Sequence, residues 1–313
     1  MNFMYLYLPV ALTSINILIP IGLGLAVGLL SGLFGVGGGF LMTPLLIMFG
    51  IPATVAAATD SNQIVAASTS GTYAHWKVGN VDFKMGLYLL AGGFIGGLIG
   101  VQAIKTLHAM GNADFVIKMT YVLMLGIVGT YMLIESLNSM RKSKNVGANG
   151  SSPVQSQDSG MTKLLKSLPL QTHFEKSGVT HSLVLPVLFG GFVGILAAIM
   201  GVGGGFLMVP VMVYILRMPM HVVVGTSLFQ ILFNCIEVTF LQAYTNHSVD
   251  FILAVLLLLG STVGAQVGTV FGRKLKGEQL KIILAVIVLV VTVKIVFELT
   301  LTPSLLISQA GGH

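Results

Sequence analysis

Between Ile15 and Phe34 the chain reads INILIPIGLGLAVGLLSGLF, and between Phe251 and Gly272 it reads FILAVLLLLGSTVGAQVGTVFG, neither with a charged residue. About 20 apolar residues in a row is the length that crosses a hydrocarbon core as helix. Inside a bilayer a chain must satisfy its own backbone, which helices do segment by segment. The expected fold class is therefore an all-α polytopic membrane protein. Composition agrees: 8% of the 313 residues are charged and 55% are hydrophobic, whereas a soluble domain carries about 25% charged residues. The basic residues behind the net charge of +6 lie in loops between apolar segments, so no nucleic-acid partner is expected. The start shows neither a basic stretch before its apolar run nor a small-residue cleavage site after it, and is expected to be retained. The single cysteine, Cys235, permits no internal disulfide and no cysteine-built metal cluster, and reads as a buried small hydrophobe.

The chain is written twice. GVGGGFLMTP (Gly35 to Pro44) and GVGGGFLMVP (Gly201 to Pro210) share nine of ten residues 166 positions apart. ATDSNQI (Ala58 to Ile64) aligns with GTSLFQI (Gly225 to Ile231), Pro52 with Pro219, and NVDF (Asn80 to Phe83) with SVDF (Ser248 to Phe251). GGLIGVQ (Gly96 to Gln102) resembles GSTVGAQ (Gly260 to Gln266). Between the copies lies a polar stretch rich in Ser, Gly and Asn that reads as a linker. The expected domains are a first transmembrane repeat over 15–140, a linker over 141–180 and a second repeat over 181–302. Each repeat divides into five helical segments: 15–34, 38–50, 53–76, 84–106 and 114–138, then 182–200, 204–216, 220–245, 250–272 and 278–300. The second of each set has about 13 residues, or about 20 Å of helix, short of a 30 Å core.

Basic residues, which accumulate in cytoplasmic loops, orient the repeats. If each glycine run merely kinks one helix, the repeats are parallel and the inner and outer loops hold eight and seven basic residues. If the chain reverses there, Arg217 and the cluster from Arg273 to Lys281 move inside. Only Lys105 and Lys118 then stay outside, and the count is thirteen to two, leaving aside Lys294 within its helix. The pattern predicts two inverted repeats, with the linker cytoplasmic and both termini periplasmic. Such repeats place a transport site at the midplane where they meet.

Four glycines in five positions remove helix propensity, at about 1 kcal/mol each relative to Ala, and free N–H groups that lipid cannot satisfy. The helix that restarts after each run carries open donors and about half a positive charge at its first turn, a seat for an anion. Gly37, Gly38, Gly39 and Phe40, with Gly203, Gly204, Gly205 and Phe206, are the candidate backbone of that seat. The rival reading is close glycine-mediated helix packing. A nucleotide loop is excluded, because the dinucleotide fingerprint's third glycine and the P-loop's Lys-Ser/Thr ending are both missing. The third segments supply polar side chains: Thr59, Asn62 and Gln63 in one half, Thr226, Ser227 and Gln230 in the other. Thr59 and Gln63 are four apart, as are Thr226 and Gln230, so each pair shares a helix face. Hydroxyls and amides replace part of an oxyanion's hydration, although they serve equally as interhelical hydrogen bonds. Asp60 and Glu237 are acids within apolar segments, each costing about 2.5–3.5 kcal/mol. They are candidates for proton coupling, and read equally as neutral acids satisfied within helix packing.

At these residues the chain resembles the sulfite exporter TauE/SafE family of bacterial membrane proteins, through the duplicated GVGGGFLMxP and the threonine-bearing segment some fifteen residues after it. The resemblance covers nearly all of both halves. It implies a secondary transporter, exporting or exchanging small sulfur anions such as sulfite or organosulfonates across the inner membrane. The first half departs from the second in carrying Asp60 and Asn62 where the second has Ser227 and Phe229. The expected partners are a small anionic substrate and the lipid bilayer. No cofactor, metal or catalytic group is expected, since HExxH and GxSxG do not occur, and nothing in the sequence sets an oligomeric state. A passive anion channel fits the same residues. A cation or metal carrier would instead use Asp60 and Glu237.

Overall fold

A computed structural model describes residues 5–34, 39–145, 171–272 and 277–300. A short hairpin, β1 (Tyr5–Leu8) and β2 (Thr13–Asn16), opens it. Helices α1 (Leu18–Phe34), α2 (Gly39–Met48), α3 (Ala53–Lys77), α4 (Phe83–Ala109) and α5 (Ala113–Asn145) follow. A second hairpin, β3 (Gln171–Phe174) and β4 (Val179–Ser182), precedes α6 (Val184–Met200) and α7 (Gly205–Pro210). α7 runs on through a π-helical turn, Val211–Ile215. The last three helices are α8 (Met220–Leu241), α9 (Phe251–Gly272) and α10 (Gly277–Thr300). The molecule is an all-α polytopic membrane protein whose only strands, among the described residues, are these two hairpins. Among the described residues, four helical stretches are long and apolar enough to cross a membrane: Phe83–Ala109, Ala113–Tyr131, Met220–Asn246 and Phe251–Gly268.

The second set of elements repeats the first in order. Tyr5 and Gln171 open their hairpins, Leu18 and Val184 their first helices, and Gly39 and Gly205 their short helices, each pair 166 residues apart. Pro52 and Pro219 stand immediately before α3 and α8, where a fixed φ and a missing N–H cost a helix start little. Each hairpin is pinned by one fully buried side chain, Leu8 in the first and Phe174 in the second. The alternation that would announce these strands is overrun in the first copy by apolar residues, so the sequence reads it as the approach to a helix. Residues 146–170, the core of the expected linker, lie outside the described residues.

Helix pairing follows small residues. Gly92, Gly96 and Gly100 of α4 lie against Val187, Gly191 and Ile195 of α6, so close that a Cβ on Gly92 would sit 2.0 Å from the Val187 carbonyl oxygen. Gly260, Gly264 and Gly268 of α9 lie in the same way on Ile21, Leu25 and Leu29 of α1. In lipid, where apolar burial gives no drive, such close approach supplies the dispersion that holds helices together. The packing therefore equates Gly92 with Gly260, one helical turn from the sequence match of Gly96 with Gly260. A stripe with a glycine every fourth residue matches itself after a one-turn shift, which is why sequence alone misplaced it.

Contact order gives the directions. α1 and α9 run the same way, because Ile21 meets Gly260 and Leu29 meets Gly268. α4 and α6 also run together, Leu89 meeting Gly190 and Gly100 meeting Ile195. α3 and α8 oppose one another: Gly71 meets Leu228, while Ile64 packs with Ile231 and Cys235. α5 and α10 oppose as well, with Gly126 near Thr292 and Gly129 near Val288.

Candidate functional site

The two short helices that follow the glycine runs meet at their first turns. Phe40 in the first turn of α2 and Phe206 in the first turn of α7 touch, ring centroids 5.6 Å apart, and both are buried. In the second break Gly201, Gly203 and Gly204 have φ of +73°, +68° and +77°. A Cβ on Gly203 would lie 2.5 Å from the Cys235 sulfur of α8, so backbone conformation and space both demand glycine here. Gly205 begins α7, whose first N–H groups have no partner within the helix. Gly39, buried at the start of α2, faces α3: a Cβ there would meet Ile64 at 2.2 Å and the Asp60 carboxyl at 3.4 Å. Gly37 and Gly38 lie outside the described residues.

The carbonyls freed by the second break are satisfied from the first half. Ser61 of α3 donates its hydroxyl to the Gly201 carbonyl at 3.1 Å, and the Tyr121 phenol of α5 donates to that of Met200. Asp60 is wholly buried beside them. Thr43 of α2 donates to one of its oxygens at 2.9 Å, and the other has no partner.

The polar groups of α3 and α8 divide into two sets. Thr59 and Thr226, both fully buried, are already engaged. The Thr59 hydroxyl accepts the backbone N–H of Asp250 at 3.1 Å, and the Thr226 hydroxyl accepts that of Asp82 at 3.0 Å. Ser227 gives its hydroxyl to the Val224 carbonyl. Gln230 and Asn234 are different: both are buried and neither end of either amide has a partner. The Gln63 carbonyl oxygen is also unpartnered. Gln63 and Gln230 each adjoin an isoleucine of the small cluster Ile64–Ile231–Cys235 that packs α3 on α8. Asn62 is half-buried. Glu237 turns toward α4, where the absence of a side chain at Gly97 makes room for it, and both its oxygens are unpartnered. Gly93 makes the same room for Asn234.

Asp82 and Asp250 were missed as organising residues, although VDF occurs twice just before an apolar run, the usual place of a helix cap. Asp82 caps α4 by accepting the Met85 N–H at 3.0 Å, and its other oxygen holds the backbone and hydroxyl of Ser177 in the second hairpin. Asp250 caps α9 through the Leu253 N–H and holds the Val10 N–H of the first hairpin, each at 3.1 Å. Each half thus fastens the hairpin and the threonine helix of the other. Among the described residues no group of three His, Cys, Asp or Glu side chains is placed to hold a metal ion.

The model of the sulfite exporter TauE/SafE family matches residues 20–295. The chain belongs to the sulfite exporter TauE/SafE family. It is 24% identical to the probable membrane transporter protein YunE of Bacillus subtilis, over 90% of this chain and 98% of that protein. With the probable membrane transporter protein YjnA of the same organism it shares 27% identity over 88% of this chain and 97% of the relative. Sulfite exporter TauE/SafE family protein 3 of Arabidopsis thaliana is 30% identical over 30% of this chain and 20% of its own length. No solved structure matches the chain. Family, relatives and apolar helices agree on a multi-pass membrane transporter. Within this family member the Phe40–Phe206 contact and the unpartnered amides of α8 mark the region to test.

Proposed function

We propose that the chain is a secondary transporter for a small sulfur-containing anion, sulfite or an organosulfonate, bound where the starts of α2 and α7 face α3 and α8. The observation that carries this is the open amide pair Gln230 and Asn234, buried without partners. Native interiors leave few polar groups unpaired, and such groups mark places where something else supplies the bond. A neutral amide next to helix N-termini offers donors to an oxyanion without a fixed charge that would trap it. Thr59 and Thr226 hold the frame of this site, and Gln63, Gln230 and Asn234 touch the substrate.

The halves are inverted in this reading. Its support is that α3 opposes α8 and α5 opposes α10, while α1 accompanies α9 and α4 accompanies α6. Those are the relations of two antiparallel units joined by a pseudo-twofold axis in the membrane plane. The linker then faces the cytoplasm and both termini the periplasm of an inner-membrane protein. Asp60, whose single donor is Thr43, carries the coupling proton, with Glu237 a second acid facing α4.

Sulfite flux into proteoliposomes, with and without a pH gradient, tests the reading. Saturable uptake that accumulates sulfite only with the gradient supports it. Flux that never exceeds equilibration makes the protein a passive channel. Uptake of sodium or a divalent metal that sulfite does not compete makes it a cation carrier.

A further inference from the structure

Where α3 turns into α4, against the second hairpin, lies a cavity of about 520 Å³. Trp76 and Phe83 form its apolar wall, and Lys84 and Lys176 line it as well. The Lys84 ammonium donates to the His173 carbonyl at 3.3 Å and lies over the Phe174 ring, a position held by the buried ring of the hairpin. Lys176 reaches to within 3.9 Å of where a side chain on Gly79 would begin. Among the described residues neither lysine pairs with a carboxylate. Two acids border the cavity. Glu175 is exposed, and the carboxyl of Asp82 is taken up by the Met85 and Ser177 donors described above.

The same place in the other half carries no basic residue at the positions of the two lysines. The residues equivalent to Lys84 and Lys176 are Ile252 and Val10, and those equivalent to His173 and Glu175 are Tyr7 and Pro9. The backbone and the aspartate cap repeat; the lysines do not. Asp82 also forms the floor toward the interior, since its N–H holds Thr226, and Gln230 stands one turn further along α8.

We propose that this cavity is a loading vestibule for a small oxyanion of the sulfonate or sulfite kind, present on one face of the membrane only. Its lysines raise the local anion concentration above the Asp82–Thr226 contact that separates the cavity from the open amides. The end around Asp250, which has no lysines, lacks that enrichment. The two faces therefore differ in apparent affinity, with the lower KM on the lysine face. This rests on the transporter reading for its use, but not for its test.

The full-length protein is reconstituted in zwitterionic lipid with a reporter thiol, Phe83→Cys, or with its counterpart at the other end, Phe251→Cys. Labelling rates are compared for methanethiosulfonate ethylsulfonate, an anion, and its trimethylammonium analogue, a cation, with the native Cys235 buried. Val78→Cys is a second reporter should Phe83→Cys fold poorly. Charge-lined clefts enrich counter-ions by roughly 10-fold or more. The expected anion-to-cation preference is thus about tenfold at Phe83→Cys relative to Phe251→Cys, abolished by adding Lys84→Gln and Lys176→Gln. Unreactive isethionate should slow labelling at Phe83→Cys. In flux assays the double lysine variant should raise the sulfite KM from the lysine face about tenfold, leaving the maximal rate and the opposite face unchanged. Equal preference at both ends, or a preference that survives loss of both lysines, overturns the proposal. Labelling slowed by added phosphatidylglycerol but not by isethionate overturns it too, by making the cavity a lipid headgroup seat. If the labelling asymmetry holds but wild-type protein moves no sulfite, the vestibule stands and the sulfite-transport reading fails.

Discussion

Thr226→Val and Gln230→Leu are neighbouring, size-matched changes on one face of α8, and the structure predicts opposite effects on stability. The Thr226 hydroxyl accepts the Asp82 N–H, and all of Thr226 is buried. Valine leaves that N–H without an acceptor, and a buried orphan costs about 1–3 kcal/mol. Gln230 has no partner at either end of its amide and is equally buried, so the folded protein already bears such a cost. Leucine removes both polar groups and is expected to stabilise by about 1–3 kcal/mol on the same scale. For a protein of this size 1 kcal/mol moves Tm by about 1–2 °C. Thermal unfolding of purified protein in lipid nanodiscs should therefore separate the two variants by several degrees, Thr226→Val below wild type and Gln230→Leu above it. Function should move the other way for Gln230→Leu. Losing one hydrogen bond to a desolvated anion costs about 0.5–1.5 kcal/mol, roughly a three- to tenfold loss of affinity. A Gln230→Leu protein that melts below wild type would refute the reasoning: the amide would then be serving the fold, and the substrate site would have to lie elsewhere.

The remaining predictions concern the break, the coupling acid and the topology. Gly203→Ala forces a side chain into a left-handed backbone position 2.5 Å from the Cys235 sulfur. The backbone and overpacking costs are each of order 1–3 kcal/mol, so a fall in Tm and in folded yield on size-exclusion chromatography is expected. Asp60→Asn keeps the shape and the Thr43 contact but cannot exchange a proton. Sulfite exchange at equal pH should survive while gradient-driven accumulation is lost, and intact accumulation would remove Asp60 from the coupling role. A reporter fused after His313 should read periplasmic and one inserted near Asn149 cytoplasmic; the same side for both would rule out inverted halves.

Why the fold was legible in some places and hidden in others is a matter of how each feature is encoded. Helix length and number are written in apolar run length, a signal about 20 residues wide that single residues barely disturb. The short helices after the glycine runs were legible for the same reason, expected over 38–50 and 204–216 and found from Gly39 and from Gly205. Turns are encoded by single residues, and the two copies encode them differently. The second hairpin turns on Gly178 (φ +63°), but its equivalent in the first is Leu12 (φ +51°). Gly79 (φ +77°) likewise corresponds to His247 (φ +50°) after α8. The left-handed conformation is kept in both copies while the glycine that announces it is kept in one. A non-glycine residue tolerates that conformation, at about 1–2 kcal/mol, only where tertiary contacts fix it. Leu12 and His247 sit in the loops that the Asp250 contacts draw in, to Val10 on one side and to the start of α9 on the other. The candidate site was partly legible for a related reason. Threonine and glutamine four residues apart announce a shared polar face, but whether a hydroxyl meets substrate or a neighbouring N–H depends on a partner some 140 to 190 residues away. The duplicated VDF could have supplied it. An aspartate that caps a helix frees its own N–H to point outward from the helix start, and in a membrane that N–H must find an acceptor. Two repeats that place an aspartate cap beside a threonine helix in one chain fold have thereby placed, in the other half, the acceptor that the cap requires.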